Sequence, residues 1–118
     1  MKNLAPDIAR QRLMIEGFYS RDVDEAVIAE YFSTITRSLN LTMYREPIIL
    51  SPGGRGKAVN QGYDAFAPLI DSGISVYVWS GPAFLSLIIY TCKDFDEQVA
   101  IDVTKNFWKI TSPDSFSF

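Results

Sequence analysis

The sequence predicts an α+β domain, a two-layer sandwich in which two helices cover one face of a mostly antiparallel sheet. Three observations indicate this fold: segments that alternate apolar and polar residues, two widely separated helical repeats, and turn residues between successive strand candidates. The predicted order is β-α-β-loop-β-β-β-α, which a sheet with both helices on one face satisfies. The 118 residues, 47% of them hydrophobic, suit a single domain over residues 1–118.

The first strand and the first helix follow a loose lead-in over residues 1–10. Arg12–Phe18 alternates as a strand does, and Glu16 is an uncommon residue inside so apolar a segment. Asp22 is the predicted N-cap of the helix, because Glu25 three residues later completes a pattern similar to a capping box. The apolar residues that share one face of this helix are Ile28, Tyr31, Phe32, Ile35 and Leu39.

Strand candidates and one glycine-rich loop occupy the middle of the chain. Thr42–Leu50 is predicted to be an edge strand or to contain a bulge, because Pro47 cannot donate a ladder hydrogen bond. Ser51–Gln61 contains three glycines and a proline, so we expect a loop there. Three more strands are predicted, with turns at residues 71–73 and 80–82 between them: Tyr63–Ile70, Gly73–Trp79 and Ala83–Cys92.

The second helix is predicted to start near Asp94 or Asp96. Its apolar residues at four-residue spacing are Phe95, Val99, Val103 and Phe107, with Ala100 alongside. Trp108–Thr111 is a candidate for a final short strand, and the remaining tail is polar and aromatic.

Composition excludes several classes of function. The net charge is −3, and no segment clusters Lys and Arg, which argues against a nucleic-acid partner. No apolar stretch is long enough for a signal peptide or a membrane span, and Cys92 is the lone cysteine, so we expect a cytoplasmic protein without an intrachain disulfide. The chain has no histidine, which excludes Ser-His-Asp, Cys-His and HExxH chemistry and leaves no ordinary zinc ligand set, so no metal is expected.

One face of the predicted sheet is left without a cover. If the helices pack on Ile74, Val76 and Val78, the opposite face presents Ser75, Tyr77 and Trp79, with Glu16 nearby. An aromatic, partly polar sheet face is typical of a subunit interface or a binding surface. We therefore expect a homo-oligomer with sites near its interface; the alternative is a solvated face with scattered aromatic residues.

Taken singly, the candidate functional residues each have a structural explanation as well. Arg55 and Lys57 of the glycine-rich loop could hold an anion, but the spacing is not that of a Walker A motif, and a plain hairpin loop is the interpretation we favour. Tyr77 and Trp79 suit either a cation-binding aromatic wall or sheet packing. The carboxylates Glu16, Glu46 and Glu97 are candidate site residues, but each is also typical of a solvated charge or a residue at a helix start. Cys92 is typical of an inert buried thiol.

The segment Leu69–Cys92, LIDSGISVYVWSGPAFLSLIIYTC, resembles the core of the prokaryotic S-adenosylmethionine (SAM) decarboxylase family. That family contains an ESH-x-x-x-HTWPE segment followed by a strand that ends in Thr-Cys. Here Asp71-Ser72-Gly73 occupies the position of Glu-Ser-His, Trp79 matches the tryptophan, and Thr91-Cys92 matches the strand end. The N-terminal strand, the first helix and the strand order also fit, so the resemblance covers most of the chain.

The departures from the family pattern concern its cofactor. Family members cleave themselves before the serine and convert it to a pyruvoyl group, an electron sink for decarboxylation. Ser72 is retained, but Gly73 and Tyr77 replace the two histidines, and Ser80-Gly81 replaces Pro-Glu. Tyrosine has an ordinary pKa of about 10 and is a poor proton shuttle near neutral pH. We therefore expect neither self-cleavage nor a pyruvoyl cofactor.

A SAM-binding fold without this cofactor is similar to the small phage-type SAM lyases. The resemblance implies intramolecular attack of the substrate carboxylate, which releases methylthioadenosine and homoserine lactone, in a homotrimer with sites between subunits. Related lyases act on SAM joined to AMP, a signal in antiviral CRISPR defence. Two alternatives remain open: a genuine decarboxylase that uses Ser72 and Cys92, and a non-catalytic SAM-binding homologue.

The resemblance also implies roles for individual residues. Tyr77 and Trp79 would contact adenine or the sulfonium, with Tyr63 as a further candidate. Glu16 or Glu97 would hold the amino group. The residues expected near the rest of the substrate are Ser72 and Cys92, and, for the phosphate of a nucleotide conjugate, Arg55 and Lys57.

Overall fold

Six strands and two helices form the domain in a computed structural model that describes residues 1–118. The sheet order is β2-β3-β4-β5-β1-β6, and every neighbouring pair is antiparallel. In chain order the elements are β1 Gln11–Phe18, α1 Glu25–Ser38, β2 Ile48–Leu50, β3 Gly62–Leu69, β4 Ser72–Trp79, β5 Phe84–Thr91, α2 Glu97–Trp108 and β6 Asp114–Ser117. A short 3-10 turn, Ala58–Asn60, precedes β3. The predicted α+β class is confirmed.

The inner face of the sheet, which packs against both helices, is built by strict alternation along the central strands. Its apolar side chains are 0–3% exposed and sit at every second position, as a period of two requires. They are Leu13 and Ile15 of β1, Ile74, Val76 and Val78 of β4, and Leu85, Leu87 and Ile89 of β5. The predicted division of β1 and β4 into two faces is confirmed.

Helix α1 starts two residues later than a cap at Asp22 would place it. The N-cap is Asp24, whose carboxylate accepts a hydrogen bond of 2.9 Å from the Val27 N–H. Asp22 is wrong as the cap because its side chain lies too early in the chain to reach the free N–H groups of the first turn. The predicted apolar face is confirmed, because its five residues are all buried.

Helix α2 is capped by Asp96, one of the two predicted positions. Its fully buried residues are Ala100, Thr104 and Trp108, one position later than the predicted stripe, of which Val99 is 36% exposed. The predicted strand at Trp108–Thr111 is wrong, because Trp108 ends the helix. Its ring packs 5.3 Å from that of Tyr31, between centroids, which fixes the rotation of α2 against α1.

Three other boundaries differ from prediction. The strand expected over residues 42–50 shortens to β2 and an isolated bridge between Met43 and Leu69, although its edge position is confirmed. The turn predicted at residues 71–73 lies one residue earlier, at Ile70 and Asp71, where Asp71 takes the left-handed conformation at φ 54°, and Ser72 already belongs to β4. The tail forms β6, which pairs with the otherwise free edge of β1. No helix in the structure has the length and apolar character needed to cross a membrane.

The contact between Tyr31 and Thr104 predicts how stability depends on pH. The hydroxyls of these buried residues lie 2.8 Å apart, and burial raises the pKa of Tyr31 above its ordinary value. An unfolded tyrosine loses its proton above about pH 10, whereas the buried one keeps it. The stability that this protonated hydroxyl contributes is therefore fully present below about pH 10 and lost as the pH rises further.

We expect Tyr31→Phe to lower the free energy of unfolding at pH 7 by about 1–2 kcal/mol, because the buried Thr104 hydroxyl loses its partner. The variant should also lose less stability than the wild type between pH 7 and 10.5. Urea unfolding at both pH values measures this, with Tyr44→Phe as the control because Tyr44 is 65% exposed. If the wild type and Tyr31→Phe lose equal amounts of unfolding free energy between pH 7 and 10.5, the alkaline loss of stability does not come from Tyr31.

Candidate functional site

The sheet face opposite the helices, here called the outer face, remains accessible. Several of its aromatic side chains are substantially exposed, among them Phe18 at 65%, Phe66 at 41% and Tyr77 at 38%. Side chains of this kind are enriched on surfaces that bind a ligand or a partner. The candidate site is therefore on the outer face.

A row of polar residues crosses the outer face from one strand to the next. The residues of this polar row are successive partners in the sheet register: Asp64, Tyr77, Ser86, Glu16 and Asp114. The Ser86 hydroxyl donates a hydrogen bond of 2.7 Å to Oε2 of Glu16. Directly opposed side chains of antiparallel strands lie about 5 Å apart at Cβ. The polar row thus joins two predicted site residues, Glu16 and Tyr77, through Ser86.

The polar row lies between two apolar regions of the outer face. On one side, Trp79, Phe84 and Phe18 form an aromatic row in which successive ring centroids are 5.5 and 5.3 Å apart. On the other side is a cleft of about 340 Å³, whose lining includes Phe66, Ser75, Ile88 and Tyr90. The outer face therefore offers carboxylates of the polar row to a cationic group of a ligand, and adjacent apolar surface to a flat apolar group of the same ligand.

Ser72 and Cys92 meet at the end of β4 that is distant from Trp79. The Cys92 backbone N–H donates to the Ser72 hydroxyl oxygen at 3.2 Å, so these two predicted site residues are in contact. Ser72 borders both the outer-face cleft and a second cleft of about 270 Å³ beside Asn40 and Lys93. Seven residues separate Ser72 from Trp79 along β4, which is about 23 Å in an extended strand.

Glu97 and Tyr63 lie on the helix side of the sheet. Oε2 of Glu97 accepts hydrogen bonds from Ser117 Oγ at 2.8 Å and Gln11 Nε2 at 3.3 Å, and both donors occupy inner-face positions of the register. Tyr63 pairs with Val78 and packs against the core. The structure therefore does not bring these two residues together with Glu16 and Tyr77.

Arg55 and Lys57 lie in the exposed glycine-rich loop before β3. The side chain of Gln61 holds this loop together through hydrogen bonds to its backbone. The Gln61 side chain accepts from the Gly54 N–H at 3.0 Å and donates to the carbonyls of Arg55 and Lys57 at 2.8 and 3.2 Å. The Gln61 carbonyl accepts from the N–H of Ser80 at 2.9 Å, next to Trp79. The loop thus ends beside the aromatic row and far from Ser72.

Gly73, at the position of a family histidine, is covered by an aromatic ring. A Cβ built on Gly73 would lie 2.7 Å from Cε2 of Phe66. Phe66 therefore occupies the space that a side chain at residue 73 would need. Any larger residue there would have to displace this ring from the outer face.

Three members of the polar row, Ser86, Asp64 and Asp114, were missed by the sequence reasoning. Ser86 gave one signal, since it is the polar residue that interrupts an apolar strand, and period two places it on the same face as Tyr90. The signal for Asp114 was the alternation of serine and phenylalanine over residues 115–118, which is typical of a strand but too short to be decisive by itself. No group of three or more His, Cys, Asp or Glu side chains is arranged to hold a metal ion.

Comparison with known proteins supports the fold. No family model matches the chain, and no curated protein matches it. Among solved structures, the chain is similar to the crystal structure of the adenosylmethionine decarboxylase from Aquifex aeolicus VF5, with a TM-score of 0.73 and 17% sequence identity. The alignment covers 94% of this chain and 89% of that one. The chain has a SAM decarboxylase-like fold.

Proposed function

We propose that this chain is a carbon–sulfur lyase that cleaves SAM, or a SAM-AMP conjugate, to a methylthioadenosine product and homoserine lactone. The observation that carries the proposal is the polar row, in which Ser86 holds Glu16 between the aromatic row and the outer-face cleft. The likeness in fold to an adenosylmethionine decarboxylase supports SAM as the substrate class.

The reaction requires no general base and no enzyme nucleophile. A carboxylate oxygen of the substrate attacks the γ-carbon of the same molecule, and the bond between that carbon and sulfur breaks. The bonding electron pair goes to sulfur, so the sulfonium becomes a neutral thioether and the carboxylate becomes a neutral lactone ester. No proton moves in this step. Catalysis then consists of holding the substrate in a folded conformation, which a chain without histidine can do.

The charge change in this reaction assigns Glu16 to the substrate's ammonium group. Positive charge on sulfur disappears as the transition state forms, so a carboxylate beside the sulfonium would stabilise the ground state more than the transition state. The ammonium keeps its charge throughout, and a carboxylate there positions the substrate without this penalty. Tyr77 and Trp79 provide aromatic faces on which adenine can stack.

We expect purified protein incubated with SAM or SAM-AMP to release the methylthioadenosine product without carbon dioxide. Glu16→Gln should lower kcat/KM about 10- to 100-fold, because it loses a charge-assisted contact to the ammonium group. It should also weaken binding of S-adenosylhomocysteine, which has the amino group, and leave binding of methylthioadenosine unchanged. Chromatography of the products and calorimetric titration measure these effects.

The control for this substitution is Glu30→Gln on the exposed side of α1, which makes the same change in charge. Glu97→Gln tests the second candidate carboxylate. If Glu97→Gln lowers kcat/KM more than Glu16→Gln does, Glu97 of α2 is the residue that contacts the amino group. Release of carbon dioxide would identify a decarboxylase instead. If both substrates remain uncleaved, the lyase proposal is wrong, and binding without cleavage would indicate a SAM-binding homologue.

We also propose that the chain stays in one piece and forms no pyruvoyl group. Ser72 is in place and contacts Cys92, which is the observation that favours the decarboxylase alternative. However, the residues of the family pattern that would assist processing are Gly73, covered by Phe66, and Tyr77, which lies on the outer face. These residues do not fit the processing chemistry, because none exchanges protons readily near neutral pH.

Mass spectrometry under denaturing conditions tests this expectation. An intact chain of 13.3 kDa is expected for freshly purified protein, and its mass should not change on storage. Two fragments divided before Ser72 would show that self-cleavage occurs and would favour the decarboxylase alternative.

We propose, finally, that the outer face is covered by other copies of the chain in a homotrimer. Phe18 and Phe116 are 65% and 63% exposed at the margin of the candidate site, and burial of such rings would both stabilise an assembly and enclose the substrate. Native mass spectrometry should give about 40 kDa, three times 13.3 kDa. A species of 13.3 kDa at micromolar concentration would contradict this proposal.

A further inference from the structure

A basic cleft separate from the polar row lies between the N-terminal segment and the end of the chain. Its volume is about 670 Å³, and its lining includes Lys2, Asn3, Ile8, Arg10, Arg12 and Phe118. Three cationic side chains border the cleft and no acidic side chain does. This local excess of positive charge occurs in a chain whose net charge is −3.

The two arginines of the basic cleft are held in place by hydrogen bonds to oxygen atoms of the chain. Arg10 Nη2 donates to the side-chain oxygen of Asn3, which also accepts from the Ala5 N–H at 3.2 Å. Arg12 Nε donates to the main-chain oxygen of Phe118, the last residue of the sequence, at 2.6 Å, and its guanidinium lies 5.5 Å from the Phe118 ring centroid. The Asn3 contact orients the guanidinium of Arg10 without neutralising it, and the Phe118 contact orients that of Arg12. Each retains N–H donors for an anion.

We infer that the basic cleft binds the phosphate group of a small phosphorylated ligand with a flat apolar part, such as a nucleoside monophosphate. Guanidinium groups match the geometry of phosphate oxygens and bind them through paired hydrogen bonds. Ile8 and Phe118, which are 54% and 46% exposed, provide apolar surface for the base. The cleft is of the size that small-molecule sites have, and the overall negative charge disfavours a long polyanion.

The position of Arg12 relates the basic cleft to the polar row. Arg12 and Glu16 lie on the same strand and, four residues apart, on the same face, which is about 13 Å along β1. Arg55 and Lys57, in contrast, belong to a loop that ends beside Trp79. A phosphate bound in the basic cleft can thus belong to a separate nucleotide or to a phosphorylated part of the substrate.

Calorimetric titration of the full chain with AMP and with adenosine tests the inference. We expect AMP to bind at least about tenfold more tightly than adenosine, with an affinity that falls as salt is added. Arg10→Gln combined with Arg12→Gln should weaken AMP binding about 10- to 100-fold and leave adenosine binding unchanged. The matched control is Arg37→Gln combined with Arg45→Gln, which removes two positive charges from exposed positions outside the cleft and should leave AMP binding at the wild-type level.

Equal affinities for AMP and adenosine would overturn the inference, as would an equal loss of AMP binding in both double variants. Arg10→Gln alone, with its melting temperature measured, provides the test if loss of Arg12 unfolds the chain. AMP binding does not require SAM cleavage, so failure of the lyase proposal and failure of this inference are distinguishable. Kinetics of the Arg10→Gln variant distinguish the two sources of the phosphate. If the variant raises KM for SAM-AMP but not for SAM, the bound phosphate is part of the substrate. If both KM values are unchanged while AMP binding is weakened, the phosphate belongs to a separate nucleotide.

Discussion

Burial of one sheet face under both helices is the constraint on which the rest of this structure depends. The chain has two helices, and their buried residues form one core cluster with the alternating inner-face residues of β1, β3, β4 and β5. A slip of one residue in any of these strands would turn its apolar set outward and place residues such as Glu16 or Tyr77 in the core. The register is therefore strongly specified. The polar row follows from it, since each member lies directly opposite the next once the inner faces are matched.

The same constraint determines what chemistry the outer face can support. Its side chains are carboxylates, hydroxyls and aromatic rings, held on strands whose rigidity comes from the core beneath them. None of these groups shuttles protons readily near neutral pH without a perturbed environment. They can orient a substrate, pair with its ammonium group and exclude water from it. A reaction whose nucleophile and leaving group are both in the substrate needs no more than this, which is why the lyase proposal fits the face better than proton-transfer chemistry does.

Sequence patterns were informative wherever a single strand or helix contained the signal. The alternation in residues 74–79 was sufficient to place Tyr77 opposite the core, and the three- and four-residue spacing in α1 identified its buried face. The contact between Ser86 and Glu16 could not be predicted in this way, because it joins residues 70 positions apart through the register of β1 with β5. The rotation of α2 was predicted one residue early, because Thr104 is polar. It is buried nonetheless, since the Tyr31 hydroxyl provides its partner.

The short strand β6 shows how far the polar row and the basic cleft depend on long-range pairing. All four of its residues are exposed, its apolar signal is limited to the phenylalanines at positions 116 and 118, and its pairing covers the otherwise free edge of β1. Its pairing places Asp114 beside Glu16 and brings Phe118 to Arg12, where the backbone N–H of Phe118 donates to the Arg12 carbonyl. One strand pairing thus adds a third carboxylate to the polar row and completes the wall of the basic cleft. Negative and positive charge are held at two ends of β1, an arrangement suited to a ligand with a cationic amine at one end and an anionic group at the other.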